Sequence, residues 1–256
     1  MERTPTLKPL LLLDLDGVLR AFPPVPPEIA SVAFEPSLLR RAVIGEISHE
    51  QWQDEAGWDA PAGEVIAEAL ALVRAARGQC FVALLSNATT RLEADLVLLG
   101  LDAEFDAIFS SARLGVAKPD PAVFRRVLDE LGYPTAVFCD DTEENVVAAC
   151  EAGLDGVHVP DTAALRTALA VRGLIPPTVL LILPDRDEAE ELAASLLADG
   201  WGPCAVHRDM LAGEDDAEDV DWVIELTTAP DGTPASAHRT ELDDLAERHD
   251  GFTGDH

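Results

Sequence analysis

Short apolar runs alternate with amphipathic segments along the first 172 residues. Four consecutive leucines, Leu10–Leu13, have the pattern of a strand buried on both faces, which is typical of the middle of a parallel sheet. Four more strands are predicted at 80–86, 107–109, 136–139 and 156–159. Helical segments are predicted at about 62–76, 89–99, 119–131, 143–152 and 162–172. This alternation predicts an α/β fold of the Rossmann-like type, a parallel sheet with helices on both faces.

The alternation of predicted strands and helices is interrupted after the first strand. A proline cluster within residues 20–35 predicts that this stretch lacks regular structure. Two short amphipathic helices are expected next, one over 35–43 and one starting at Ser48, where Gln51 completes a capping box. We therefore expect a small helical insertion at about 20–77.

A second pattern begins after a short stiff linker, Gly173–Pro177. Strands are predicted at 178–183, 204–208 and 221–227, and helices at 185–198 and 238–249. The βαββα order predicts a small α+β domain. The sequence thus divides into residues 1–175, with the insertion, and an acidic domain at 176–256.

The charge of the chain limits its partners. Its 256 residues contain 48 Asp and Glu against 18 Lys and Arg, a formal net charge of −30. Such a charge repels nucleic acids and anionic membranes, so neither is expected as a partner. The four cysteines have no C-x-x-C spacing, no apolar run approaches 18 residues, and no secretory signal is evident. We expect a soluble cytoplasmic protein.

Polar side chains follow the predicted strands of the first domain. They are Asp14, Asp16, Ser86, Asn87, Asp140 and Asp141. Carboxyl ends of parallel strands meet at one edge of a sheet, where open α/β sheets bind ligands. Alternate residues of an extended segment point the same way, so Asp14 and Asp16 are expected to converge on one spot.

This set of residues suggests phosphoryl transfer. Asp14 can attack phosphorus and form an aspartyl-phosphate. Asp16 can protonate the leaving oxygen and then deprotonate water. Ser86 and nearby backbone amides can donate hydrogen bonds to phosphate oxygens. Lys118, one of two lysines in the chain, adds a fixed positive charge.

The carboxylates also predict a metal site. Asp141, with Asp140 beside it, would complete a site for Mg²⁺, which prefers hard oxygen ligands. Without such a cation, four carboxylates and a phosphate could not share so small a volume. Plainer roles stay open: Ser86 or the Asp140–Asp141 pair could cap a helix, and Lys118 could lie on the surface.

The same residues form four motifs in a familiar order. They are Asp14-Leu-Asp-Gly-Val-Leu, Leu85-Ser-Asn, Lys118-Pro and Cys139-Asp-Asp with Asn145, spread over about residues 8–172. In these motifs the chain resembles the haloacid dehalogenase-like hydrolase superfamily. The insertion resembles the small helical cap of the family's first type.

The resemblance implies roles for these residues. Asp14 would be the nucleophile, Asp16 the acid and base, and the Mg²⁺ ligands would be Asp14, Asp141 and the carbonyl of Asp16. Phosphate would be bound by Ser86, Asn87 and Lys118, while Asp140 and Asn145 would support the ligands. Three positions bear on the match: Val18 replaces a commoner threonine, Asn145 stands where many members carry an acid, and Asp16 argues against dehalogenation.

The sequence therefore predicts a Mg²⁺-dependent phosphatase acting on a small phosphorylated metabolite. The aromatic residues of the insertion would either form its core or contact that substrate. Two alternatives remain: a phosphomutase that uses the same residues, and a regulatory protein whose phosphatase-like domain is vestigial. Residues 176–256 could be an accessory fold that stabilises or dimerises the enzyme. They also faintly resemble the proteins that regulate ribonuclease E activity, and this resemblance implies a protein partner.

Overall fold

The leucine run forms strand β1 (Leu10–Leu13), and all four side chains are buried in the core. The structure is a computed structural model that describes residues 7–209 and 221–255. The chain divides into two compact units, Met1–Arg172 and Gly173–His256. The first unit also contains strands β2 (Arg20–Ala21), β3 (Glu64–Val65), β4 (Phe81–Ser86), β5 (Ala107–Ser110), β6 (Val137–Asp140) and β7 (Asp155–His158). Its helices are α1 (Pro27–Ala33), α2 (Pro36–Val43), α3 (His49–Ala56), α4 (Ala67–Arg77), α5 (Leu92–Leu99), α6 (Ser111–Leu114), α7 (Pro121–Leu131), α8 (Glu143–Glu151) and α9 (Thr162–Val171).

Five of these strands form one parallel sheet in the order β5-β4-β1-β6-β7. Leu10 and Leu12 pack with residues of α7 and α8, including Phe124, which meets Phe138 of β6 edge-to-face at 5.1 Å. Helix α4 contacts β4 and α9. The predicted α/β class is confirmed, and β1 lies at the centre of the sheet because all four of its side chains are apolar.

The insertion is helical, as the sequence predicted, but its first helix begins earlier than expected. Strands β2 and β3 pair antiparallel and bracket α1, α2 and α3. Residues 20–35 were expected to lack regular structure, yet they contain β2 and α1, because Pro27 occupies the first turn of α1, where its missing N–H is harmless. The predicted capping box between Ser48 and Gln51 is present at the start of α3.

The second unit contains an antiparallel sheet. Its elements are β8 (Val179–Leu183), α10 (Arg186–Ala198), β9 (Gly202–Asp209), β10 (Asp221–Thr228), a 3-10 helix (Ala235–His238), α11 (Arg239–Glu247) and β11 (Phe252–Asp255). The strand order is β11-β8-β10-β9. The predicted α+β class is confirmed, with β11 as an unpredicted edge strand. Among the described residues, no helix has the length and apolar character needed to cross a membrane.

Candidate active site

The turn after β1 brings the first and last motifs together. Asp14 is buried, and its backbone N–H donates to the Cys139 carbonyl at 2.9 Å. Gly17 has a φ of +81°, and a Cβ on it would lie 2.0 Å from Oδ2 of Asp141. Glycine is therefore required at position 17 for two reasons: the backbone has a positive φ, and the Asp141 carboxylate lies where a Cβ would be.

Lys118 lies between two carboxylates. Its buried Nζ is 2.7 Å from Oδ1 of Asp14 and 2.6 Å from Oδ2 of Asp140. The contact with Asp14 is an ion pair without regular hydrogen-bond angles, whereas Lys118 donates a hydrogen bond to Asp140. This burial excludes the surface-lysine alternative.

Asn87 holds the backbone of Lys118 in place. Its Nδ2 donates to the Lys118 carbonyl at 2.7 Å, and its Oδ1 accepts from the Lys118 N–H at 2.8 Å. Both polar atoms of this amide are therefore engaged in fixing the lysine. The structure thus gives Asn87 a positioning task, and direct phosphate binding by it stays a prediction.

Asp140 is fully buried and hydrogen-bonded on both oxygens. Besides Lys118, it accepts from the Thr142 N–H at 2.8 Å and from Nδ2 of Asn145 at 3.0 and 3.1 Å. These donors fix the end of β6. Asp140 and Asn145 thus support the lysine and the neighbouring Asp141.

Asp141 has a partner that the sequence did not reveal. Nε2 of His158, at the end of β7, lies 2.9 Å from the Asp141 carbonyl, which can only accept. The candidate residues predicted from the sequence do not include His158. Its position at a strand end, like that of Asp140, was the signal that could have identified it.

The charges at the site depend on one another. Burial raises the pKa of Asp14 to about 7; the Lys118 ammonium opposes this rise, and Asp140 and Asp16 add to it. Burial alone would lower the pKa of Lys118, but Asp14 and Asp140 together raise it. Burial and the charge of Asp140 also raise the pKa of Asp141. One ammonium does not fully compensate these carboxylates.

A hard divalent cation fits this donor set. Asp14, Asp140 and Asp141 each offer an oxygen, and these oxygens lie within 4.8 Å of one another. Carboxylate oxygens suit Mg²⁺, and a cation would offset the cost of crowding them in a buried place. Because Asp140 already accepts several hydrogen bonds, Asp14 and Asp141 are the better ligands.

Two buried hydroxyls end neighbouring strands. Ser86 and Ser110 pair in register at the ends of β4 and β5, and neither Oγ has a hydrogen-bond partner among the described residues. Ser86 therefore does not cap a helix. Burying a hydroxyl without a hydrogen-bond partner lowers stability. The oxygen atoms of a bound anion could accept a hydrogen bond from such a hydroxyl. Ser110 was not singled out from the sequence, although it ends a strand as Ser86 does.

Asp16 departs from the expected arrangement. Its carboxylate pairs with Arg20, whose Nε donates to Oδ1 at 2.6 Å, and does not join the cluster around Asp14. The reason is that β1 ends at Leu13 and the chain turns, with the Leu19 and Arg20 N–H groups both donating to the Leu15 carbonyl. The two carboxylates are still close enough for Asp16 to raise the pKa of Asp14.

Comparison with known proteins agrees with this geometry. Residues 34–153 match the family model of the haloacid dehalogenase-like hydrolases. The chain is 40% identical to the sesquiterpene phosphatase astK of Aspergillus oryzae over 73 residues. These residues make up 28% of this chain and 36% of that protein. Over 87 residues it is 37% identical to the bifunctional epoxide hydrolase 2 of Rattus norvegicus, 33% of this chain and 16% of that one. The chain thus spans about a third or less of these relatives.

Solved structures share the fold. A predicted HAD-like hydrolase from Porphyromonas gingivalis is 19% identical and superposes with a TM-score of 0.51, covering 66% of this chain and 98% of that one. A HAD family enzyme from Bacteroides thetaiotaomicron, in complex with magnesium and inorganic phosphate, is 20% identical with a TM-score of 0.50, covering 59% of this chain and 93% of that one. At such identities the likeness concerns the fold.

Proposed function

From the match of residues 34–153 to the haloacid dehalogenase-like hydrolases, we propose that the first unit is a hydrolase domain of this family. In this proposal the protein is a Mg²⁺-dependent phosphatase that hydrolyses a small phosphate monoester through an aspartyl-phosphate on Asp14. The observation that carries the proposal is the Lys118 ammonium, buried between Asp14 and Asp140 at 2.7 and 2.6 Å. A sesquiterpene phosphatase among the relatives supports phosphate-ester hydrolysis as the reaction.

The reaction has two steps. An Asp14 oxygen attacks phosphorus, the bond from phosphorus to the alcohol oxygen breaks, and Asp16 gives its proton to that oxygen, releasing the alcohol. Water then attacks the same phosphorus and loses a proton to Asp16. The bond between phosphorus and Asp14 breaks, which restores the enzyme and releases phosphate.

The surrounding groups bind and neutralise charge. Lys118 lowers the pKa of Asp14, which favours its ionised form, and attracts the phosphoryl oxygens. The hydroxyls of Ser86 and Ser110 can donate to those oxygens. Asp14, Asp141 and the carbonyl of Asp16 would hold Mg²⁺. When bound, the ion supplies positive charge to the phosphoryl group.

Hydrolysis of an aryl phosphate tests the proposal. We expect phosphate release that requires Mg²⁺ and is lost in Asp14→Asn. Asp129→Asn, an exposed aspartate of α7, is the matched control and should leave the rate unchanged. Full activity in Asp14→Asn would refute the covalent route, and transfer of phosphate to a second alcohol in place of water would identify a mutase.

A further inference from the structure

A cavity of about 370 Å³ lies between the helical insertion and the loop and helix that follow β4. It reaches Asp16 and Asn87 at the active site. Much of its wall is hydrocarbon, and the aromatic part consists of Phe22, Phe34, Trp52 and Trp58. The space therefore begins beside the proposed acid and extends under the insertion.

The aromatic wall is ordered by edge contacts. The Trp58 ring meets Trp52 at 5.8 Å and Phe34 at 6.0 Å between ring centroids. The indole N–H of Trp52 donates to the Ala33 carbonyl at 3.0 Å. The polar atom of Trp52 is thus already engaged, and its ring offers the cavity apolar surface.

The charged side chains of the wall cancel one another. Arg20 Nε lies 2.6 Å from Asp16, Arg20 Nη1 lies 3.3 Å from Asp95, and Arg91 Nε lies 2.9 Å from Asp95. These are two cations and two anions, paired within the wall. While Asp16 is ionised, these four residues therefore present no net charge to a ligand in the cavity.

His49 also lines this wall. Burial, with the charge of Arg91, lowers its pKa, which favours the neutral ring. Its Nδ1 lies 2.8 Å from Oγ1 of Thr89, and its Nε2 is buried without a hydrogen-bond partner among the described residues. His49 therefore adds no charged group that would favour a polar ligand.

We infer that this cavity holds the alcohol part of the substrate and that this alcohol is apolar, an aliphatic or alicyclic group. The inference rests on the proposed function: if Asp16 protonates the leaving oxygen, the alcohol must extend from Asp16, and the cavity starts there. Each hydroxyl of a polyhydroxylated alcohol that is buried against this wall without a hydrogen-bond partner would weaken binding.

Binding of alkylphosphonates tests the inference without requiring hydrolysis. Affinities of ethyl-, butyl-, hexyl- and octylphosphonate for the full-length protein with Mg²⁺ are measured by calorimetry. Burial of each added methylene should tighten binding about four-fold until the cavity is full. A dihydroxypropylphosphonate should bind more weakly than butylphosphonate. Equal affinity along the series, or tighter binding of the dihydroxy compound, would overturn the inference.

A variant with a larger side chain in the cavity, compared with a control variant outside it, provides a second test. Leu39 of α2 lines the cavity, whereas Leu98 of α5 is 74% exposed and lies outside it. Leu39→Trp should weaken octylphosphonate binding at least ten-fold and leave ethylphosphonate binding unchanged. Leu98→Trp should change neither. Unaltered octylphosphonate binding in Leu39→Trp would contradict the assignment, and the wild-type series decides the matter independently if that variant does not fold.

The two proposals fail in different ways. If the phosphonates bind with the expected dependence on chain length but the matching alkyl phosphates are not hydrolysed with Mg²⁺, the phosphatase assignment is wrong and the apolar cavity assignment holds. If an aryl phosphate is hydrolysed with Mg²⁺ while chain length has no effect on phosphonate binding, the phosphatase stands and the apolar alcohol is refuted.

Discussion

Replacing Lys118 by methionine removes the ammonium group that lies between two buried carboxylates. The Nζ atom is 2.7 Å from Asp14 and 2.6 Å from Asp140, and all three side chains are buried. Methionine keeps most of the volume but none of the charge. Removing one partner of a buried ion pair typically costs about 3–5 kcal/mol, because an uncompensated charge stays behind. That is a large part of the stability of an ordinary domain.

Hydrogen exchange measures this loss within the first unit. A loss of about 3–5 kcal/mol corresponds to roughly 100- to 5,000-fold faster exchange of the β1 amides at pH 8 without divalent cation. Amides of β8, in the second unit, serve as the internal reference. Mg²⁺ should restore much of the protection, since it supplies the missing positive charge and binds the folded state.

Two further results test the same reasoning. Lys118 lowers the pKa of Asp14, so in Lys118→Met this carboxyl should take up a proton at higher pH, and the deficit should shrink as the pH falls towards 6. Lys8→Met is the matched control, because Lys8 is exposed and its Nζ donates to the Arg77 carbonyl at 3.1 Å. Equal β1 exchange in both variants would refute the view that the site is held together by charge compensation.

Three other changes have defined outcomes. Gly17→Ala should lower kcat/KM about 100-fold, because its Cβ displaces the Asp141 carboxylate, as measured by aryl phosphate hydrolysis. Asn87→Ala should cost about 1–3 kcal/mol in chemical unfolding and lower kcat, because two hydrogen bonds to the Lys118 backbone are lost. The lowered pKa of His49 means that the unfolded chain takes up a proton below pH 6.5 before the folded chain does; stability should therefore fall as the pH drops from 7.5 to 5.5, and less so in His49→Gln.

Each of these three predictions has an outcome that would contradict it. Gly132 also has a positive φ, +72°, but a Cβ there meets nothing within 4 Å, so Gly132→Ala should keep its activity. Equal activity losses in the two glycine variants would contradict the steric argument. Unchanged stability in Asn87→Ala, or the same pH dependence in His49→Gln as in the wild type, would contradict the other two.

The features that could be predicted from the sequence depend on residues close together in the chain. The leucines of β1 are apolar on both faces, and Ser48 with Gln51 is a signal within four residues, so strand and cap were predictable. The motif residues follow strand ends, and the parallel sheet brings those ends together. This is why Asp14, Lys118 and Asp141 could be assigned to one site from the sequence alone.

Contacts that depend on the path of a turn or on the register of strands were not predictable in the same way. Pairing of Asp16 with Arg20 depends on a turn, and the bond between His158 and the Asp141 carbonyl depends on the register of two strands. Strand β11 is held at the sheet edge by backbone pairing with β8, which its composition does not encode. The resemblance of residues 176–256 to regulators of ribonuclease E, and a protein partner for them, stay predictions.

The covalent intermediate on Asp14 is the most direct test of the whole account. Full-length protein with Mg²⁺ is mixed with a turned-over phosphate monoester, quenched in acid within milliseconds, digested and mapped by mass spectrometry. The account predicts one phosphoryl group on the peptide containing Asp14, at the Asp14 carboxylate, and none in Asp14→Asn. Consumption of substrate in the first turnover with no phosphoryl group on Asp14, or with one on another residue, would contradict it.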